Sequence, residues 1–424
     1  MDVVVGADSV VGTTGSATRR AGTGLIASYV AATFGVSVAT LTPLTVTLAV
    51  RVQQLDPAHR AGSLSLVLGV GAVLSLVGMP FFGQLSDRTT SRWGMRRPWL
   101  VGGLAAGMLG TLVLAFGGSI GALLLGWCVT QGGFCALNAA LGALLLDHVP
   151  DTQRGKVSSL IGMCQAVAVV VGTFLAQAFA PSIPLMFLAP GVVAAVAVII
   201  LVLTLPDRRL TADQRRRYDL REFGRSFWVN PIRHPGFGWA WLGRFLLITG
   251  FAILQTYLAY YLSGRLGYPE HEVPHLVFQS ILTLTAFLVV GAYLSGWLSD
   301  RLRRRKIFVL ASAALYGVAL LVIASANSFG QFLVGMMIAG AGLGSYLAID
   351  LALVAEVLPD GKGKAAKDMG VLNIANTVPQ MLAPALAPVA LAIGGGNNYP
   401  ALFIVAAVFS FLGSLAIMPI RGVR

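Results

Sequence analysis

Two charged side chains stand inside long apolar runs of this sequence. Arg244 lies in Leu242-Gly243-Arg244-Phe245-Leu246, and Asp350 lies in Tyr346-Leu347-Ala348-Ile349-Asp350-Leu351. A charge in an apolar medium is costly, so it is kept for a partner, an ion path or a proton relay. A carboxylate beside a guanidinium stays ionised, and it accepts a proton more readily when the two part in a dry site. Arg244 and Asp350 are therefore candidates for a proton-responsive pair. The competing reading is a permanent ion pair that holds the structure together. Asp147 closes another apolar run, Ala143-Leu144-Leu145-Leu146-Asp147. Its plainer role would be a helix-end carboxylate bonded to loop amides.

Amide side chains supply the candidate binding groups. Gln131 and Asn138 are seven residues apart and share a helical face; Gln255 follows Arg244 by eleven, three turns along the same face. Asn373, Asn376 and Gln380 repeat at three and four, among Pro379, Pro384 and Pro388. Amides both donate and accept, as a hydroxyl-rich ligand demands. Tyr257, Tyr260 and Trp241 offer flat surfaces to a sugar ring, with interfacial anchoring the favoured reading for Trp241 and Tyr261, and Tyr346 is a further candidate binding residue. In the first apolar run Tyr29, Thr33, Ser37, Thr40 and Thr47 form one polar stripe, which either bonds a neighbouring helix or lines water. Cys128, Cys135 and Cys164 have no metal or disulfide spacing. No Ser/His/Asp arrangement, metal motif or nucleotide loop appears, so the chain reads as a non-enzyme without a cofactor. Gly340-Ala341-Gly342-Leu343-Gly344 lies within an apolar run and follows no strand, so it reads as close helix packing.

The elements that must position these residues are membrane helices. The 424 residues are 56% hydrophobic and 11% charged, with a mean hydropathy of +0.79. A soluble domain carries about 25% charged residues. Apolar runs long enough to span a bilayer are expected at about 24–49, 63–82, 98–116, 121–146, 157–179, 184–205, 237–263, 275–297, 307–325, 330–354, 368–392 and 400–419. The net charge of +13 does not point to nucleic acid. All but Arg51, Arg60, Arg244 and Arg265 of the 30 Lys and Arg fall on one side of this topology. That bias places both termini in the cytoplasm, and the basic loops against anionic lipid headgroups. The chain divides into a loose cytoplasmic tail (1–22), a first bundle (23–205), a basic linker (206–236) and a second bundle (237–420).

A short motif repeats at half-length. Gly83-Gln84-Leu85-Ser86-Asp87-Arg88 returns as Gly296-Trp297-Leu298-Ser299-Asp300-Arg301, with Asp87 and Asp300 213 residues apart. Asp147-His148-Val149-Pro150-Asp151 likewise matches Glu356-Val357-Leu358-Pro359-Asp360. Two copies of one plan imply pseudo-symmetric six-helix bundles. The first motif, continued through Arg92, Gly94, Arg96 and Arg97, resembles the signature loop of major facilitator superfamily transporters. Within that superfamily it looks most like the sucrose and glycoside–proton symporter group, with Met95 where that group has arginine. The resemblance covers residues 23 to 420. It implies an all-α membrane fold of twelve transmembrane helices, with helices 1, 4, 7 and 10 around a central cavity. It implies alternating access in the inner membrane, uptake of a sugar or glycoside driven by the proton gradient, and action as a monomer. An exporter of drugs or metabolites is the alternative. Gly83, Asp87, Arg88, Arg92, Arg96, Arg97, Asp300 and Arg301 are then expected to form a conformational latch between the halves. The resemblance also points to Asp147 as a coupling residue, with Gly142 where that group has an arginine.

Overall fold

The computed structural model describes residues 22–207, 235–302, 304–357, 365–393 and 398–420. The expected tail, up to residue 21, and the expected linker, from 208 to 234, lie outside the described residues. Twelve helices are long and apolar enough to cross a membrane. In the first half these are α1 (Thr23–Leu55), α2 (Arg60–Ser86), α3 (Arg97–Phe116), α4 (Ile120–His148), α5 (Asp151–Ala178) and α6 (Ile183–Thr204). In the second they are α7 (Pro235–Gly264), α8 (Val273–Leu302), α9 (Arg305–Ala324), α10 (Phe329–Val357), α11 (Ala365–Ala392) and α12 (Tyr399–Ile417).

The two halves repeat one packing pattern. α3 packs on α4 as α9 does on α10, and α2 on α4 as α8 does on α10. α1 pairs with α5 and α6 as α7 pairs with α11 and α12. Across the halves α2 meets α11 and α5 meets α8, two contacts that exchange under the pseudo-two-fold. The fold is therefore a pair of six-helix bundles, as the repeated motif requires.

Local chemistry explains how these helices fit. In α10, Gly340 and Gly344 face α8, where an added Cβ would fall 2.3 Å from the Leu284 carbonyl oxygen and 2.0 Å from that of Leu288. The glycine run is a packing face. Dispersion and close backbone approach hold membrane helices together where no water is left to expel. α1 is interrupted by a wider π-helical turn at Pro43–Thr47, where Leu48 N–H donates back to the Pro43 carbonyl. Pro43 lacks a donor of its own, which loosens the ladder there. The loop joining α2 to α3 defines what we call the loop face. The α1–α2 and α7–α8 connections lie on the opposite, far face.

Candidate functional site

Arg244 and Asp350 meet. Arg244 Nη1 donates to Asp350 Oδ2 at 2.5 Å, and both side chains are buried. Arg244 Nε donates to Asn376 Oδ1 at 2.9 Å, so α7, α10 and α11 converge on one guanidinium. Tyr346, one turn before Asp350, sets its hydroxyl beside the same carboxylate but outside full hydrogen-bonding geometry. Tyr346 is thus fully buried among these groups, away from the cavity wall. The side chain of Asn373 lies outside the described residues.

A cavity of about 200 Å³ lies between the halves. The first half contributes Thr40 from α1, Ser75 and Met79 from α2, and Trp127, Gln131, Cys135 and Asn138 from α4. The second contributes Gln255 and Thr256 from α7 and Thr377 and Gln380 from α11. Gln131 Nε2 donates to Ser75 Oγ at 3.0 Å. Gln255 Nε2 donates to Thr45 Oγ1 at 3.3 Å, across the halves and at the π turn of α1. Gln380 Nε2 reaches the Asn376 carbonyl at 3.4 Å. Among the described residues, no charged side chain lines this space. The ion pair sits apart from it: eleven residues separate Arg244 from Gln255, about 16 Å along a helix. Asn376 links the two places, because it holds Arg244 while Thr377 and Gln380 on the same helix face the cavity.

Four of the expected binding residues thus line the cavity: Gln131, Asn138, Gln255 and Gln380. Ser75, Thr377 and Trp127 also line it and were not singled out by spacing. Ser75 and Trp127 belong to no polar repeat, and Thr377 adjoins the amide repeat of α11 without being part of its spacing. The stripe on α1 mostly bonds its own helix. Thr33, Ser37 and Thr40 hydroxyls donate to the carbonyls of Tyr29, Thr33 and Val36, and Thr40 also reaches the cavity wall.

The tyrosines expected at a sugar belong elsewhere. Tyr257 Oη is 2.6 Å from Ser65 Oγ, and Tyr260 Oη donates to the Arg60 carbonyl at 3.3 Å. Arg60 lies over the Tyr260 ring at 5.3 Å. Gln53 Nε2 donates to Glu270 Oε1 at 2.9 Å. Phe174 and Phe278 meet edge to face at 5.6 Å. These contacts join the halves on the far face and close the cavity there. Tyr261 is no interfacial anchor: it is fully buried, and its hydroxyl donates to Ile323 O at 2.5 Å. Its ring stacks on Phe332, because an aromatic on the inner side of α7 gains more from the core than from the membrane surface.

The signature loop is organised around Arg96, which is 3% exposed. Its Nη2 lies 2.7 Å from Asp87 Oδ1 and 3.0 Å from Asp147 Oδ2, and Nη1 donates to Ser86 Oγ at 2.8 Å. Asp147 is therefore committed to this cluster and does not face the cavity. Asp207, a residue the sequence reading missed, accepts the backbone N–H groups of Arg96 and Arg97 on one carboxylate oxygen, both at 2.8 Å. It caps the start of α3, where orphan donors and the helix dipole favour an anion. Its only sequence signal is its place directly after α6. Arg97 Nη2 donates to the Leu205 carbonyl at 2.6 Å. These bonds tie α2, α3, α4 and the end of α6 together within the first half. The cross-half contacts above sit on the far face. Gly83, Arg88, Arg92 and Arg301 lie on the same face. The Asp300 side chain lies outside the described residues. Arg301 covers the Trp297 ring at 5.5 Å.

Comparison with known proteins follows this geometry. The Major Facilitator Superfamily profile matches residues 10–292 and 270–423. The multidrug resistance protein MdtG of Yersinia enterocolitica serotype O:8 is 29% identical over 174 residues, 40% of this chain and 39% of that protein. The chain therefore spans well under half the length of that curated relative. The nucleoside transporter NupG superposes with a TM-score of 0.71 at 13% identity, over 94% of this chain and 100% of that one. A D-xylose–proton symporter does so with a TM-score of 0.67 at 15% identity, over 94% and 97%. At such identities the likeness is one of fold. Because the profile runs through both of the repeated halves, the chain belongs to the Major Facilitator Superfamily.

Proposed function

We propose that this transporter imports a neutral, hydroxyl-rich solute, a sugar or a glycoside, together with a proton. The observation that carries the reading is the cavity wall, which combines amides and hydroxyls from both halves with no charged side chain among its described lining residues. A charged ligand in a low-dielectric site needs an opposite charge. A polyhydroxylated one needs groups that donate and accept. The nucleoside and xylose transporters that share this fold carry solutes of that kind by their names. With the loop face in the cytoplasm of a cell membrane, closure at Gln53, Ser65 and Arg60 corresponds to an inward-facing state. The similarity to MdtG favours proton-driven export as a second reading, against which the uncharged wall argues for cationic drugs.

Coupling runs through α11 in this reading. Solute bound at Gln380 and Thr377 shifts Asn376, which loosens its hold on Arg244 Nε. Arg244 then releases Asp350, and the unpaired carboxylate in a dry site takes a proton. Reconstituted vesicles test both parts. Asp350→Asn should keep counterflow of a bound sugar and lose accumulation driven by a pH gradient. If Asp350→Asn still accumulates solute against its gradient, the pair is structural and the coupling group lies elsewhere.

A further inference from the structure

Three arginines, Arg51, Arg60 and Arg265, stand on the far face against the bias that gathers basic residues on the other. Two of them are a matched pair. Arg51 Nη2, near the end of α1, donates to the Gly117 carbonyl between α3 and α4 at 2.8 Å. Arg265, just past α7, donates through Nη2 to Asn327 Oδ1 between α9 and α10 at 2.9 Å. Each braces its own bundle, at corresponding places of the repeat. Arg60 has no such mate: the repeat offset of 213 residues sets Val273 opposite it. Its side chain crosses into the second half instead. The guanidinium lies over the Tyr260 ring at 5.3 Å. It rests against Gly264, where an added Cβ would fall 2.6 Å from Nη2. It also stands beside the Tyr399 hydroxyl, which is buried and meets no partner in full hydrogen-bonding geometry. Arg60 Nη1 donates to Gln53 Oε1 at 2.6 Å, and Gln53 Nε2 donates on to Glu270 Oε1 of the second half at 2.9 Å. The amide turns its oxygen to the cation and its NH2 to the anion, so both charges fix its orientation.

We propose that Arg60 is the residue that holds the far face shut, and that its withdrawal from the seat made by Tyr260, Gly264 and Tyr399 is what lets the halves part there. Hydrogen bonds to an ionised group are the strong ones. Arg60 is only half-buried, so its guanidinium regains water as the halves separate. A contact of that kind is strong enough to bias two arrangements and weak enough to be broken and remade in every cycle. The role is independent of which solute is carried.

Ala49→Cys reports on the opening. Ala49 is 3% exposed and faces a small space between the halves with Gln53, Tyr260 and Glu270. The protein is studied full-length in lipid nanodiscs, with Cys128, Cys135 and Cys164 replaced by alanine and a bulky charged maleimide as the reagent. When opening and closing outpace the reaction, the rate follows the open population. Arg60→Met should speed it at least about tenfold, the weight of one hydrogen bond to a charged group. Gly264→Ala should do the same with Arg60 retained, because its Cβ would fall 2.6 Å from both Arg60 Nη2 and the Tyr399 ring; it decides if Arg60→Met does not fold. Arg265→Met, which removes a far-face arginine bonded within its own half, should leave the rate within about twofold. A second reporter, Ala313→Cys in the fully buried core of α9, should stay at its parental rate in all three. Parental rates at Ala49→Cys in both Arg60→Met and Gly264→Ala would overturn the proposal. So would an equal rise in Arg265→Met, or a parallel rise at Ala313→Cys, since either shows general loosening instead of a released latch.

Discussion

Replacing Arg244 by alanine separates a paired charge from a merely buried one. Two opposite charges with centres about 4 Å apart attract by about 4 kcal/mol at an effective dielectric of about 20. Arg244 makes such a pair with Asp350, and both side chains are nearly sealed from solvent, at 9% and 2% exposed. Alanine leaves the carboxylate alone in that site, which should cost about 3–5 kcal/mol. Asp350→Asn leaves the guanidinium with Asn376 and a new amide oxygen to bond, so it should cost about 1–3 kcal/mol. The double variant Arg244→Met/Asp350→Leu removes both charges and fills the space. It should return within about 1 kcal/mol of the parent or exceed it. Equilibrium unfolding in mixed micelles, followed by tryptophan fluorescence, measures all four proteins. If Arg244→Ala matches the parent, or if the two single losses simply add in the double variant, the two groups are not paired and the reasoning fails. Transport adds a second reading of the same cycle: the double variant should be stable yet unable to respond to a pH gradient.

Three further outcomes follow from the geometry. Gln131→Ala removes a cavity amide that otherwise bonds Ser75; solute affinity should fall roughly three- to tenfold, the worth of one neutral hydrogen bond, with the unfolding midpoint unchanged. Gly94→Ala places a side chain at φ +113° and sets its Cβ 2.1 Å from Asp207 Oδ2. It should cost about 1–3 kcal/mol and speed hydrogen exchange at the Arg96 and Arg97 amides that Asp207 holds. On the far face, the Ser63 hydroxyl and the His59 amide hold the Asp56 carboxyl below its ordinary value of 3.8. That contribution is complete above pH 3.8 and is lost as pH falls through the lower folded value. Protection factors of the amides around His59 and Ser63, corrected for intrinsic exchange, should therefore stay constant at neutral pH and fall only in acid, and Asp56→Ala should remove the pH step.

Much of the architecture was legible in the chain because membrane helices carry their own signal. With no water in the bilayer, each helix must satisfy its backbone internally and present apolar side chains outward. Length and hydropathy therefore mark every crossing, and the repeated Gly-x-Leu-Ser-Asp-Arg motif marks the duplication. The rarity of buried charge also exposed Arg244 and Asp350 before any contact was known. What the spacing could not supply was which helix faces meet. Tyr257 and Tyr346 have the right chemistry for a sugar, yet the packing of α7 and α10 turns them into far-face and interior contacts. Ser75 and Trp127 carry no periodic signal and still line the cavity. Asp87, Arg96 and Asp147 look alike in sequence whether they clasp two halves or brace one. The chain by itself determined twelve crossings, their duplication and the two charges worth burying. Only the tertiary structure decided that Asn376 bridges those charges to α11 and that Gln255 lines two pockets. Helix rotation and the meeting of distant segments are set by packing among many neighbours, and no local stretch of sequence encodes them.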